Sequence, residues 1–150
     1  MRYVHTITIS VFTRAPEEMR EIETACRAFL PDIDWEKQKL FWSEEKCTGM
    51  DGNEPVIIVG KVVLTKEAHT NTFLRTLKAR LSSADRNDLS MQENRLDDDL
   101  NFFLRLSKPN LLKGTCILTD GGDCVHLKLH VAAFPTRKEV AWAVMHSFWG

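Results

Sequence analysis

The chain has 150 residues, 43% of them apolar and 27% charged, a balance that fits one globular domain over 1–150 and excludes a disordered or fibrous class. Twenty Lys and Arg against 21 Asp and Glu leave a net charge of -1, which excludes a small protein held on nucleic acid by overall charge alone. No apolar run approaches the roughly 20 residues a membrane helix needs, and the N-terminus has neither the basic start nor the cleavage site of a secretory leader, so a cytoplasmic protein with no membrane partner is expected.

Residues 3–13 predict a strand, because Ile7, Ile9 and Val11 alternate with Thr6, Thr8 and Ser10 to give one apolar and one hydroxyl face. Pro16 then opens a helix at a position where its missing N–H costs little. Glu17, Glu18 and Glu21 lie near the positive end of that helix. Met19, Ile22, Cys26, Phe29 and Leu30 recur at helical spacing and are expected to face a sheet. Residues 33–42 look extended but irregular, and 43–53, with Gly49, Gly52 and Asn53 among charges, read as a loop. The run PVIIVGKVVL at 55–64 predicts a central strand with a bulge or close backbone approach at Gly60.

Thr65 is expected to cap a helix that turns Phe73, Leu74, Leu77 and Leu81 inward, and Ser83 a shorter one through Leu89. A strand follows at 100–106, then a turn or single helical turn at 108–114. Residues 115–119 and 124–134 predict a hairpin about Asp120-Gly121-Gly122-Asp123. Thr136 and Glu139 match a capping box that starts a last helix at about Arg137. Helices packed mainly on one face of an antiparallel or mixed sheet make an α+β fold the expected class.

The near-zero total hides segregated charge. Residues 1–60 carry a balance of -4, residues 61–82 +4, residues 83–100 -4 and residues 101–150 +3. In the 125–131 strand Val125, Leu127, Leu129 and Val131 take one face, and His126, Lys128 and His130 the other. Asn101, Phe103 and Arg105 likewise share a face. If these strands lie in one sheet, Phe103, Arg105, His126, Lys128 and His130 converge, and an aromatic among cations can contact phosphate and stack a base. The same pattern also fits an ordinary solvated outer face.

Other chemistry is not visible. Cys26, Cys47, Cys116 and Cys124 form no CxxC pair and suit neither a zinc ribbon nor a finger, so free thiols are expected. His126 and His130 lack a third ligand, no phosphate-binding loop or Gly-x-Ser-x-Gly is present, and neither metal, cofactor nor catalysis is expected. A Cys/His nucleophile pair, which forms in space rather than in sequence, stays open. In the last helix Val140, Ala143, Val144 and Ser147 are assigned to the sheet. Trp142, Met145 and Trp149 are then expected to project on the other side, covered by this chain's own loops or by another subunit.

The segments HTITISVF, GNEPVIIV and above all VHLKLHVAAFPTRKEVA resemble the archaeal RNA-binding family described as predicted exosome subunits, over nearly the whole chain from Tyr3. The resemblance implies a fold like that of the large-subunit ribosomal protein that binds 5S rRNA, a homodimer, and non-catalytic RNA binding connected to RNA processing. It places Arg137 and Lys138 at a sheet-to-helix junction where they can meet phosphate. Together these readings nominate Arg105, Lys108, Lys113, His126, Lys128, His130, Arg137 and Lys138 as RNA-contacting residues. The alternative is a dimeric protein-interaction adaptor built on the Trp142, Met145 and Trp149 stripe.

Overall fold

The computed structural model describes residues 1–48 and 56–150. Its elements run β1 (Val4–Thr13), α1 (Pro16–Arg27), β2 (Ser43–Cys47), β3 (Ile57–Leu64), α2 (Glu67–Arg80), α3 (Ser83–Met91), a 3-10 turn (Glu93–Arg95), β4 (Asn101–Ser107), α4 (Lys108–Leu112), β5 (Cys124–Val131) and α5 (Lys138–Trp149). The strands form one sheet in the order β2-β3-β1-β5-β4, and every pairing is antiparallel. The fold is therefore α+β, as the element pattern implies.

Period-two alternation sorts the sheet into two surfaces. Ile7 stands opposite Leu64 and Leu129, Ile9 opposite Val62 and Leu127, and Val11 opposite Gly60 and Val125. Phe102 and Leu104 extend the same apolar rows on β4. These side chains are buried beneath α1 on β1 and β3, α2 on β1, α4 on β4 and β5, and α5 on β5. The helix residues expected to face inward do so: Met19, Ile22, Cys26, Phe29 and Leu30 near α1, and Phe73, Leu74, Leu77 and Leu81 near α2, are all buried. Gly60 is the close approach that its place in an apolar strand implied. A Cβ there would lie 2.5 Å from Trp42 Cζ2 and 2.6 Å from Met19 Sδ.

Several local expectations are corrected. Residues 43–47 are a strand rather than a loop; as an edge strand exposed on both faces, β2 shows no apolar alternation to read. Gly49, Gly52, Asn53 and the start of the 55–64 run lie outside the described residues. The 115–119 segment does not form a hairpin with β5, whose two sides are taken by β1 and β4. It runs along β4 instead, where Ser107 N–H donates to the Ile117 carbonyl at 2.8 Å and Thr119 N–H to that of Arg105 at 3.0 Å. Ser82, not Ser83, caps α3, its Oγ accepting from Asp85 N–H at 3.1 Å. Lys66 rather than Thr65 precedes α2, with no side-chain cap. The capping box at α5 is absent as well: Arg137 holds the cap position, and Thr136 Oγ1 donates to the Ala133 carbonyl at 3.5 Å.

The largest correction concerns α5. Ala141, Met145, Phe148 and Trp149 are its buried residues, while Ala143 and Ser147 are exposed. The i, i+4, i+7, i+8 stripe buries two large rings, and Trp149 stacks on Phe102 with centroids 6.4 Å apart while Phe148 meets Tyr3 at 4.7 Å. Assigning Val140, Ala143, Val144 and Ser147 to the sheet turns the helix the wrong way. Met145 and Trp149 are 0% and 1% exposed, so they belong to this chain's own core and form no outward stripe. Trp142 alone of the three is partly exposed, beside His146.

All four cysteines are free thiols, Cys47 exposed and the other three buried. Burial, reinforced by Glu23 and Cys116, pushes the Cys26 thiol up to about 12.

Candidate nucleic-acid interface

The surface opposite the helices collects the other parity of each strand. Its register fixes three rows. Arg105 stands beside His126, His126 beside Ser10, and Ser10 beside Lys61. The next row joins Phe103, Lys128, Thr8 and Val63, and the third Asn101, His130 and Thr6. With strands about 4.8 Å apart, the backbone positions of Arg105 and Lys61 are separated by about 14 Å. β1, β3, β4 and β5 contribute no carboxylate to these rows; on the edge strand β2, Ser43 continues the row of Lys61, and Glu45 stands beside Val59 at the level of Phe12. Arg105, Lys128 and Lys61 are exposed, as are Phe12 at 50% and Phe103 at 44%.

Hydrogen bonds and rings orient the face. His130 Nδ1 and Asn101 Oδ1 are 3.1 Å apart across the β5–β4 pair. Arg105 Nη1 donates to the Asp120 carbonyl at 3.3 Å. Phe12 and His126 meet edge to face with centroids 6.1 Å apart, and His5 lies 5.6 Å from His130. Burial, and then the neighbouring Arg105, lowers the His126 pKa below its ordinary value. Burial, then His130 and Arg2, does the same to His5. Both shifts favour the neutral ring, and Arg105, Lys128 and Lys61 are the basic side chains exposed on the face.

Of the eight nominated residues, the register brings Arg105, His126, Lys128 and His130 together. Arg137 and Lys138 sit beyond the end of β5 at the start of α5; Arg137 is exposed and Lys138 Nζ pairs with Asp98 at 3.2 Å. Lys108 is turned into the fold, away from the open face. It is 9% exposed, and its Nζ is held by Asp123 at 2.8 Å, Glu18 at 2.9 Å and the Phe12 carbonyl at 3.2 Å. Burial pulls its pKa down, but the hydrogen bonds it donates to Asp123 and Glu18 outweigh burial and leave it above that of an ordinary lysine. Lys113 caps the C-terminal end of α4, which packs on α1 among the helices and away from the open face.

Phe12 and Lys61 belong to the face although neither is among the nominated residues. The signal for Phe12 is present in the sequence, because it continues the Thr6, Thr8, Ser10 parity of β1. Lys61 shares its parity with Val59 and Val63 in a run that reads as almost wholly apolar. What the sequence lacks is strand order, which alone shows that β3 borders β1. Among the described residues no cluster of three metal-ligating side chains occurs, and no helix is long and apolar enough to cross a membrane.

A small α+β protein with one helix-covered and one open, cation-bearing sheet surface is the class these observations define. A family model described as RNA binding matches residues 6–131, and the chain belongs to that family. It is 29% identical to an RNA-binding protein of Pyrococcus abyssi over 136 residues, 90% of this chain and 86% of the relative. The fold is shared with a DUF54 protein from Methanothermobacter thermautotrophicus, at a TM-score of 0.75 and 24% identity covering 99% of both chains. A DUF54 protein from Sulfolobus solfataricus matches at 0.70 and 16% identity, over 93% of this chain and 96% of that one.

Proposed function

We propose that this protein binds RNA through the open face of its sheet, contacting backbone phosphates and performing no chemistry on them. The observation that carries this reading is the row Arg105, His126, Ser10 and Lys61, with Lys128 beside it, on four strands that offer no carboxylate. Such a surface attracts a polyanion locally although the chain's net charge is -1. Family membership and the name of the Pyrococcus relative support the nature of the polyanion. Arg137, exposed at the start of α5 beyond the end of β5, is assigned to the same contact.

Anisotropy of labelled RNA across a salt series tests the reading. The Lys128→Glu, Arg137→Glu double variant is expected to bind at least about tenfold more weakly. Its plot of log affinity against log salt should flatten by about 0.7–0.9 for each phosphate that is no longer neutralised. Unchanged affinity and slope would remove this face from RNA binding. A homodimer, a likeness to the 5S-rRNA-binding ribosomal protein and work beside the RNA-processing exosome complete the proposal on the strength of the family resemblance. Sedimentation and co-purification with exosome core subunits check the first and last of these. A dimer seam through Met145 and Trp149 is no part of it, because both are core residues.

A further inference from the structure

Resting on the RNA reading above, we infer that the segment lying on the open face is unpaired, with bases stacked on Phe12 and Phe103. Both rings project from the sheet surface, half exposed, Phe12 between Val59 and His126 and Phe103 in the row of Lys128, Thr8 and Val63. Phe103 stands directly opposite Lys128 and two residues from Arg105. Phe12 meets His126, and His126 stands opposite Arg105. The three rings thus mark a diagonal across β1, β5 and β4, with cations on either side.

The spacing decides how many bases are held. Val11 pairs with Val125, which places Phe12 level with Cys124, whereas Phe103 is level with Lys128. Two strand spacings and four residues separate the phenyl groups, about 17 Å. That is too far to clamp one base between them. Each ring therefore takes a separate base, with His126 between.

The exposed ring faces decide the form of the RNA. In an A-form duplex every base face is covered by its neighbours, and only base edges, riboses and phosphates are open to a protein. A phenyl ring standing on a sheet can use its π surface only on a base that has left the stack. Sheets that bind single strands combine such rings with cations tracking the backbone, which is the arrangement of Phe12, Phe103, Lys61, Arg105 and Lys128. Another exposed phenyl, Phe41, borders a cleft of about 440 Å³ lined by Lys39, Lys61, Val63 and one carboxylate, Glu45, toward β2. It offers the strand a continuation on that side.

The test compares a single-stranded RNA of about eight nucleotides with a blunt RNA duplex of about 16 base pairs, using the full chain. The wild-type protein is expected to favour the single strand. Replacing Phe12 and Phe103 by Leu should lower its affinity by about tenfold or more per ring while leaving the salt slope unchanged. Replacement by Tyr, which keeps the π surface, should restore binding. A 2-aminopurine base in the strand should report stacking on the wild type and the Tyr variant but not on the Leu variant. Thermal melting confirms that each variant is folded, and neither ring belongs to the core. Preference for the duplex, or Leu variants that bind like the wild type, would overturn the inference and leave phosphate-directed RNA binding standing. Failure of the wild type to bind either RNA at low salt would overturn both.

Discussion

The two faces of this sheet are written in the same strands, yet they answer to different physics. On the covered face of β1, Ile7, Ile9 and Val11 are at most 1% exposed and touch apolar partners on both neighbouring strands. One residue along, Thr6, Thr8 and Ser10 join a surface of His, Lys and Arg that no helix covers. Stability is concentrated on one parity, and the proposed RNA contacts lie on the other. A substitution's effect should therefore follow from its parity more than from its chemistry.

Trp149→Ala should strain that rule most. Truncating a ring that is 1% exposed against Phe102 and Phe148 should cost about 3–5 kcal/mol in denaturant unfolding. Trp142→Ala, on the partly exposed side of the same helix, should cost far less. A Trp149→Ala protein with unaltered stability and altered mass would return this residue to an interface and break the comparison.

Gly60 sharpens it from the opposite direction. A single methyl added by Gly60→Ala meets Trp42 and Met19 on the covered face and should destabilise by about 1–3 kcal/mol. Thr8→Ala on the open face should stay within about 0.5 kcal/mol. Equal midpoints for the two would show that the covered face yields more readily than its contacts imply.

Two lysines then separate charge that holds the fold from charge assigned to the proposed RNA contact. Lys108→Met leaves Glu18 and Asp123 without their cation and should lower stability by about 1–2 kcal/mol, a modest figure because both carboxylates are partly solvated. Lys128→Met should leave stability unchanged and weaken RNA binding. Reversal of these two phenotypes would interchange the roles assigned to them.

The smallest effect is in pH. His5 and His126 are held below their ordinary value of 6.5, so the unfolded chain takes up protons before the folded one does. Stability of the free protein should therefore fall slightly as pH drops below about 6.5. RNA affinity should rise over the same interval, since phosphate favours the protonated rings. Thermal midpoints and anisotropy at matched ionic strength check the opposed signs, and parallel trends would remove the histidines from the contact.

Alternation makes much of this architecture legible before strand order is known. The inward rows of β1 and β5, and the grouping of Arg105, His126, Lys128 and His130, follow from a period of two once β4 and β5 are neighbours. Three things are hidden for different reasons. β2 has no buried face, so its sequence shows no strand pattern. The helical phase of α5 is ambiguous because apolar residues lie on both sides, and the outcome is set by which stripe offers the larger rings to Phe102 and Tyr3. Lys108 carries a full charge in sequence like any exposed lysine, and only the approach of α1 and the residue preceding β5 shows it enclosed.

The charged edge strand has a bearing on keeping the protein dispersed. A sheet that leaves one face bare for a ligand can also grow sideways, because an outer strand offers unpaired N–H and C=O groups to any passing chain. At the β2 border that offer is made by Glu44, Glu45 and Lys46, all exposed on five short residues. An incoming strand would have to bring its own side chains against these solvated charges, which disfavours stacking copy upon copy into fibres. The least patterned strand of the chain thus serves as the boundary that lets the opposite surface stay open.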